Sequence, residues 1–190
     1  KNNKVKLITN KRTANFDYCL MSSHPPQSVK IFENLDFLSK ELLSKFIFQK
    51  NKAILHFDES VLPEKKIAWS AWNYHSTKST SGKDAVSVSY LINKLQPLPF
   101  RRSVIVTLNP VCQIDKKKIV RVVDYEHPLF SSEAILAQKE IESIQGKQRV
   151  YFVGAWSRYG FHEDGILSTK KAVNQLLKDD GKNKAFLEIL

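Results

Sequence analysis

The chain has 190 residues, 42% of them hydrophobic, and a formal charge of +11 at pH 7, enough apolar material for one ordinary core or a core with a small appendage. It has no run of eighteen apolar residues, and Lys1-Asn2-Asn3-Lys4 does not lead into an apolar stretch. Neither a membrane-spanning helix nor a signal peptide is expected from this sequence, and a soluble, cytoplasmic protein is expected.

The charge suggests an anionic partner, but it is scattered along the chain. Its densest group, Lys116, Lys117, Lys118 and Arg121, reads as a solvated turn, and with no binding motif beside it a nucleic-acid partner is not expected. Cys19 and Cys112 have neither CxxC spacing nor a histidine neighbour, so no metal site is expected and both read as reduced core thiols. The chain opens on Lys rather than Met and runs directly into a strand-like segment, as expected of a fragment.

Lys4 to Thr9 and Asn15 to Met21 predict two strands joined by a polar turn. His24-Pro25-Pro26 then breaks the pattern and predicts a helix start near Gln27; Leu35, Leu38, Leu42 and Phe46 recur at helical spacing. Strands are predicted over Phe46 to Gln49, Ala53 to Phe57, Ala85 to Leu91, Ser103 to Leu108 and Ile119 to Asp124. Five such segments imply an antiparallel sheet, and the polar run from Ser76 to Lys83 reads as a surface loop. Ser131 and Ser132 offer N-caps for a helix with Ala134, Ala137, Ile141 and Ile144 on one face and Gly146 as its stop. After it come a β-prone run, Arg149 to Val153, a glycine-bounded loop, an amphipathic helix from Ile166 to Leu177 and a charged, frayed end. The fold class expected is α+β: a mainly antiparallel sheet with flanking helices, plus a C-terminal strand-loop-helix piece.

The stretch from Val150 to Ser168 carries the chemistry. A buried strand ends at Gly154, aromatic and polar residues follow, and Gly165 stands where a helix begins. A helix start offers unpaired N–H groups and a positive dipole end, which favour an electron-rich group held close to the glycine.

This stretch resembles the C-terminal signature of predicted NAD/FAD-binding proteins related to flavin-containing amine oxidases, in which a strand ending Gly-Ala-Trp is followed by Gly-Phe-His-Glu-Asp-Gly and a helix. Further landmarks follow the family's order: Asn51 to Asp58, Pro63, Ala68 to Tyr74, Ser89 to Leu98, Thr107 to Pro110, His127-Pro128 and Gln145-Gly146. The resemblance runs from about Phe16 to Leu177. It implies that FAD meets Gly154, Ala155, Trp156, Gly160, Phe161, His162, Glu163, Asp164, Gly165 and Ile166. It also implies a separate N-terminal βαβ unit with a Gly-x-Gly-x-x-Gly turn, which is missing from this chain. Residues 1–25 and 147–178 would then belong to the FAD domain and 26–146 to a substrate domain, with 179–190 as a tail. The chain departs from the family pattern at His24-Pro25-Pro26-Gln27-Ser28 and at Ser168-Thr169, where a Ser-Gly pair is usual.

Trp69, Trp72, Asn73 and Tyr74 either line a substrate pocket or anchor the sheet. His56 and His127 read as hydrogen-bonded structural residues, and no catalytic set can be assembled. Two functions are expected from different classes. One is part of an FAD-dependent oxidoreductase taking hydride from a C–H bond of a small or lipid-like substrate; the other is a noncatalytic interaction domain, inactive without the missing half. The partners expected are FAD, the substrate, the missing half and a second copy, through apolar surface beside Val150 to Val153. Alone, the chain is expected to bind FAD weakly or not at all, because the pyrophosphate and ribose contacts belong to the βαβ unit.

Overall fold

A computed structural model describes residues 4–77 and 85–181. The chain forms two compact units, residues 1–48 with 128–190 and residues 49–127. Their edges do not coincide with the boundaries expected at 25 and 146, because three helices from the intervening sequence bury their apolar faces in the first unit.

In that unit β1 (Val5–Ile8) and β2 (Thr13–Phe16) form an antiparallel hairpin. Thr9 Oγ1 ties its turn, donating to Arg12 O at 2.9 Å and accepting the Arg12 N–H. The second strand was expected to run on to Met21. Instead the chain leaves the hairpin after Phe16, and β3 (Cys19–Met21) pairs in parallel with β9 (Val150–Phe152), Cys19 opposite Val150. Tyr18, at the break, turns its phenol to Asp180 at 3.0 Å.

Helix α1 (Pro25–Ile31) begins two residues before the expected start, since a proline in the first turn gives up an N–H that would be unbonded anyway. Asp36 caps α2 (Phe37–Ser44) by accepting the Ser39 N–H, and Ser131 caps α4 (Ser132–Glu140) by accepting that of Ala134. After α4 the chain tightens into a 3₁₀ turn through Ile144 and stops at Gly146, whose φ of 77° suits glycine.

The side chains of β9 alternate between two cores. Val150 and Phe152 join Leu42, Leu43, Phe46, Ala134, Ala137, Ile144 and Trp156, whereas Tyr151 and Val153 meet Ala172 of α5 (His162–Asp179). Helices therefore cover both faces of a parallel pair, the layering typical of α/β sheets. Val150 to Val153 is itself buried, whereas Leu20, beside it on the paired strand, is 41% exposed.

The second unit is built on a five-stranded sheet, separate from β9, in the order β5 (Trp72–Thr77), β6 (Ala85–Leu91), β7 (Ile105–Leu108), β4 (Phe48–His56) and β8 (Ile119–Pro128). Short helix α3 (Ile92–Leu95) follows β6. The pairings β5–β6, β6–β7 and β7–β4 are antiparallel. The two short strands expected at 46–57 are the single strand β4, and β5 was not anticipated as a strand. The polar run expected as a loop lies outside the described residues from 78 to 83, and its first two residues end β5. Lys116–Lys118 forms one 3₁₀ turn capped by Asp115. Cys112 is exposed rather than a core thiol, while half-buried Cys19 has its thiol pKa raised by burial.

Candidate cofactor site

Strand β9 ends at Phe152, and the chain then folds back on itself. Gly154 has a φ of 152°, and a Cβ there would fall within 2.5 Å of the Trp156 indole. Only glycine lets the indole lie over the backbone in this way. Trp156 is buried, packs edge-on against Phe46 at a ring separation of 4.8 Å, and leaves its indole Nε1 without a partner among the described residues.

The loop is fastened from several sides. Gly154 N–H donates to Ser168 Oγ at 2.9 Å, and that hydroxyl donates to Gly165 O at 2.8 Å. Ser157 Oγ donates to Gly154 O, and Gln138 Nε2 donates to both Trp156 O and Arg158 O. Buried Asp164 accepts the backbone N–H groups of Tyr159 and Phe161 and pairs with Arg158 Nε at 3.4 Å. Asp164 is thus the third helical residue reaching back to the residue before the helix, one arm of a capping box.

The expected cofactor residues therefore split into two kinds. Gly154, Trp156 and Asp164 have roles inside the chain, whereas Phe161, His162, Glu163 and Ile166 are exposed. Gly165 packs on Ala155, since a Cβ there would lie 3.8 Å from Ala155 N, and Gly160, at φ 90°, faces Phe130. The helix starts at His162, four residues before the expected Ile166, which places Gly165 in its first turn. Among the described residues no partner meets the backbone N–H groups of His162 and Glu163, or those of Ala155 and Trp156 in the loop. Together with the Trp156 indole N–H these form a donor set without acceptors, the chemistry that an electron-rich cofactor edge needs. Ser168, Ser157, Gln138 and Asp164 were not foreseen as its fasteners; with Phe161 before the helix in place of the usual Ser or Thr, the sequence lacks the capping-box pattern that would have signalled the last.

A cavity of about 590 Å³ lies between α4 and α5, and Ser157 and Tyr159 reach it while Gly154, Ala155 and Gly165 do not. Among the described residues, no three His, Cys, Asp or Glu side chains are grouped to hold a metal.

In the second unit the aromatic cluster is divided by the pleat of β5. Trp72 and Tyr74 are exposed on one face, where Trp72 meets Tyr90 edge-on at 5.3 Å. Asn73 points to the buried face, and its carboxamide bonds Ser70 N, Ser70 O and Ser89 O. Trp69 donates its indole N–H to Pro63 O at 2.7 Å. The cross-strand register puts Val86, Val88, Val106 and Leu108 on the same face as Trp72, Tyr74 and Tyr90, so that face carries no charged side chain on β5, β6 or β7. The opposite face buries a polar row: Ser89 Oγ and Thr107 Oγ1 lie 2.9 Å apart, and His56 Nε2 lies 2.8 Å from Thr107 Oγ1. His127 Nδ1 meets Asn51 Nδ2 at 2.9 Å.

No family model and no curated protein matches the chain. Solved structures do. A fatty acid isomerase from P. acnes that produces CLA superposes with a TM-score of 0.57 at 13% identity, over 92% of this chain and 45% of its own. A protein from Exiguobacterium sp. 255-15 assigned as a protoporphyrinogen oxidase gives 0.58 at 11% identity, over 94% and 45%. Cyclohexylamine oxidase from Brevibacterium oxydans gives 0.52 at 10% identity, over 96% and 47%. The fold is amine-oxidase-like. The chain spans about half the length of these structures, and both units belong to the shared fold. No helix among the described residues is long and apolar enough to cross a membrane.

Proposed function

We propose that the chain is the C-terminal portion of an FAD-dependent oxidoreductase that oxidises a C–H bond. The observation that carries the reading is the donor set at the end of β9, where the first N–H groups of α5 and those of Ala155 and Trp156 stand without acceptors.

Flavin supplies two-electron chemistry when bound. In this reading the backbone N–H groups of His162, Glu163, Ala155 and Trp156 would hold the flavin, and the positive end of the α5 dipole would add to them in favouring an electron-rich group. Asp164 and Ser168 fix the loop against the helix, so the donors stay aimed whether or not a ligand is present. The unit of residues 49–127, which lies within the expected span 26–146, would supply the substrate domain, and the uncharged face of Trp72, Tyr74 and Tyr90 would form an apolar wall for the substrate. Asn73, turned away, supports the sheet instead.

The test is the absorbance of the protein isolated from its native source. Flavin bands at one equivalent per chain are expected, bleached by dithionite and insensitive to dialysis. A colourless protein that gains no bands on adding FAD would overturn the reading.

A further inference from the structure

Positive charge that is scattered along the sequence is gathered by the sheet of the second unit. The register sets Trp72 opposite Tyr90, and both Leu91 and His56 opposite Ile105, so β4, β5, β6 and β7 share one end. Phe57 N–H donates to Lys118 O at 3.1 Å, which brings the start of β8 to the same end.

Three connections meet there: residues 57–71, residues 92–104 and the turn Lys116–Lys118. Lys94 Nζ donates to Trp69 O and Ser103 Oγ to Glu59 Oε1, each at 2.6 Å, which ties the second to the first. Lys118 Nζ pairs with Asp58 at 3.0 Å and ties in the third. The rim so formed carries exposed Lys65, Lys66, Lys94, Arg101 and Arg102, with Lys116 and Lys117 beside them. Its carboxylates are fewer and mostly engaged within the chain: Asp58 by Lys118, Glu59 by Ser103 and Asp115 by the Lys117 N–H, while Glu64 is exposed.

Apolar side chains stand among these cations. Ile67 is 95% exposed at the tip of the 3₁₀ turn Lys66–Ala68, and Leu95 and Phe100 are each 49% exposed. The tip is not slack: Ala68 N–H donates to Lys65 O at 2.9 Å, the Trp69 indole to Pro63 O, and the Lys66 ammonium lies 5.2 Å from the Trp69 ring centroid. An isoleucine held out into water on a fixed turn adds nothing to the core. Lysines flanking it can lay their stems along apolar surface and keep their ammonium groups hydrated.

We infer that this rim docks on the surface of an anionic lipid bilayer, with Ile67, Leu95 and Phe100 entering the headgroup layer and the cations meeting lipid phosphates. A protein partner fits less well, because lysine is depleted at protein interfaces, and a nucleic acid offers Ile67 no apolar layer. The inference does not rest on the flavin reading.

Flotation of the whole protein with vesicles of phosphatidylglycerol and phosphatidylcholine in equal parts tests it. The protein is expected to float with these vesicles, to bind phosphatidylcholine alone at least about tenfold more weakly, and to come off as salt is raised. Lys65→Ala with Lys66→Ala is expected to weaken binding about tenfold or more, and Lys116→Ala with Lys117→Ala repeats the test on a separate element. Ile67→Asn is expected to weaken binding several-fold at unchanged charge, with the melting temperature of the parent. Lys30→Ala with Lys170→Ala, in the other unit, removes the same charge and is expected to leave binding unchanged. Absence of flotation would overturn the inference. Equal weakening by the two distant lysines would overturn it in favour of net charge alone, and a DNA duplex that displaces the vesicles and still binds the Ile67→Asn variant would assign the rim to nucleic acid.

Discussion

His56 Nδ1 accepts the backbone N–H of Asp58 at 3.1 Å, which leaves the proton of the neutral ring on Nε2, where it is donated to Thr107 Oγ1. The ring is fully buried, and desolvation lowers its pKa although the Asp58 carboxylate works the other way. In the unfolded chain the imidazole titrates near its ordinary value, about 6.5. Above that pH both states are neutral and stability does not depend on this group. Below it the unfolded state takes up a proton that the folded state resists, so stability falls as pH drops, by up to about 1.4 kcal/mol per pH unit. Urea midpoints at pH 7.5 and 5.5 are expected to differ in this sense, and His56→Gln is expected to remove this contribution.

Removing the partner instead of the histidine isolates the hydrogen bond. Thr107→Val keeps the volume but leaves the buried Nε2–H unbonded, which costs about 1–3 kcal/mol. Thr107→Ser is expected to restore most of it, as measured by urea denaturation.

Asp58 is the anchor between β4 and the turn before β8. Burial alone would raise its pKa, but the Asp115 N–H, the Lys118 ammonium and the Ser60 N–H outweigh it and hold the carboxyl well below the usual range. For a depressed acid the stabilisation is present above the unfolded pKa, near 3.9, and is lost as pH falls through the folded one. Asp58→Ala is expected to cost about 1–3 kcal/mol, because it leaves the Asp115 and Ser60 N–H groups without their acceptor while half-exposed Lys118 turns to water. Lys118→Ala removes a half-exposed partner and is expected to cost about 1 kcal/mol or less by thermal melting.

At Gly165 the chain and the cofactor make different demands. A Cβ there meets Ala155 only at ordinary van der Waals distance, and alanine favours a helix over glycine by up to about 1 kcal/mol. Gly165→Ala is expected to leave the melting temperature unchanged or raised. Gly165→Val is expected to reduce flavin retained after dialysis while Lys117→Ala does not. Equal flavin content in the valine variant and the parent protein would show that the cofactor does not approach this glycine.

Gly146 combines a left-handed φ with crowding. A Cβ there would stand 2.6 Å from Asp179 Oδ2 and 3.3 Å from Tyr151 Oη, two atoms already hydrogen-bonded to each other. Gly146→Ala is expected to cost at least about 1–2 kcal/mol from the backbone alone. Tyr151→Phe, which frees that space, is expected to reduce the penalty in a double-mutant cycle.

Local signals revealed most elements of the fold and few of the details that arm the site. The serine caps and Gly146 marked α4 because capping is written within a few residues. The strand at Ala85–Leu91 was legible from its alternation, yet the side it buries is that of Ser87 and Ser89, since distant Thr107 and His56 complete their hydrogen bonds. The parallel pairing of β3 with β9 joins residues more than a hundred apart, and no local pattern announces it. In the candidate site the glycines and the helix start were visible. The fastening by Gln138 and the closure of β9 by Gln145 were not, because a glutamine on a polar helix end looks like any solvated residue.

Helix α5 is tied at both ends: Asp164 holds its start to the loop, and Asp179 and Asp180 receive the phenols of Tyr151 and Tyr18 at its finish. Both tyrosines have raised pKa values: at Tyr18 the bond to Asp180 contributes most, and at Tyr151 burial comes before the bond to Asp179, so the phenols remain protonated donors at neutral pH. Sliding the helix along its axis would break both sets of bonds at once. The helix therefore acts as a strut of fixed length, and whatever displaces its first turn must also be felt at Tyr18, next to β3.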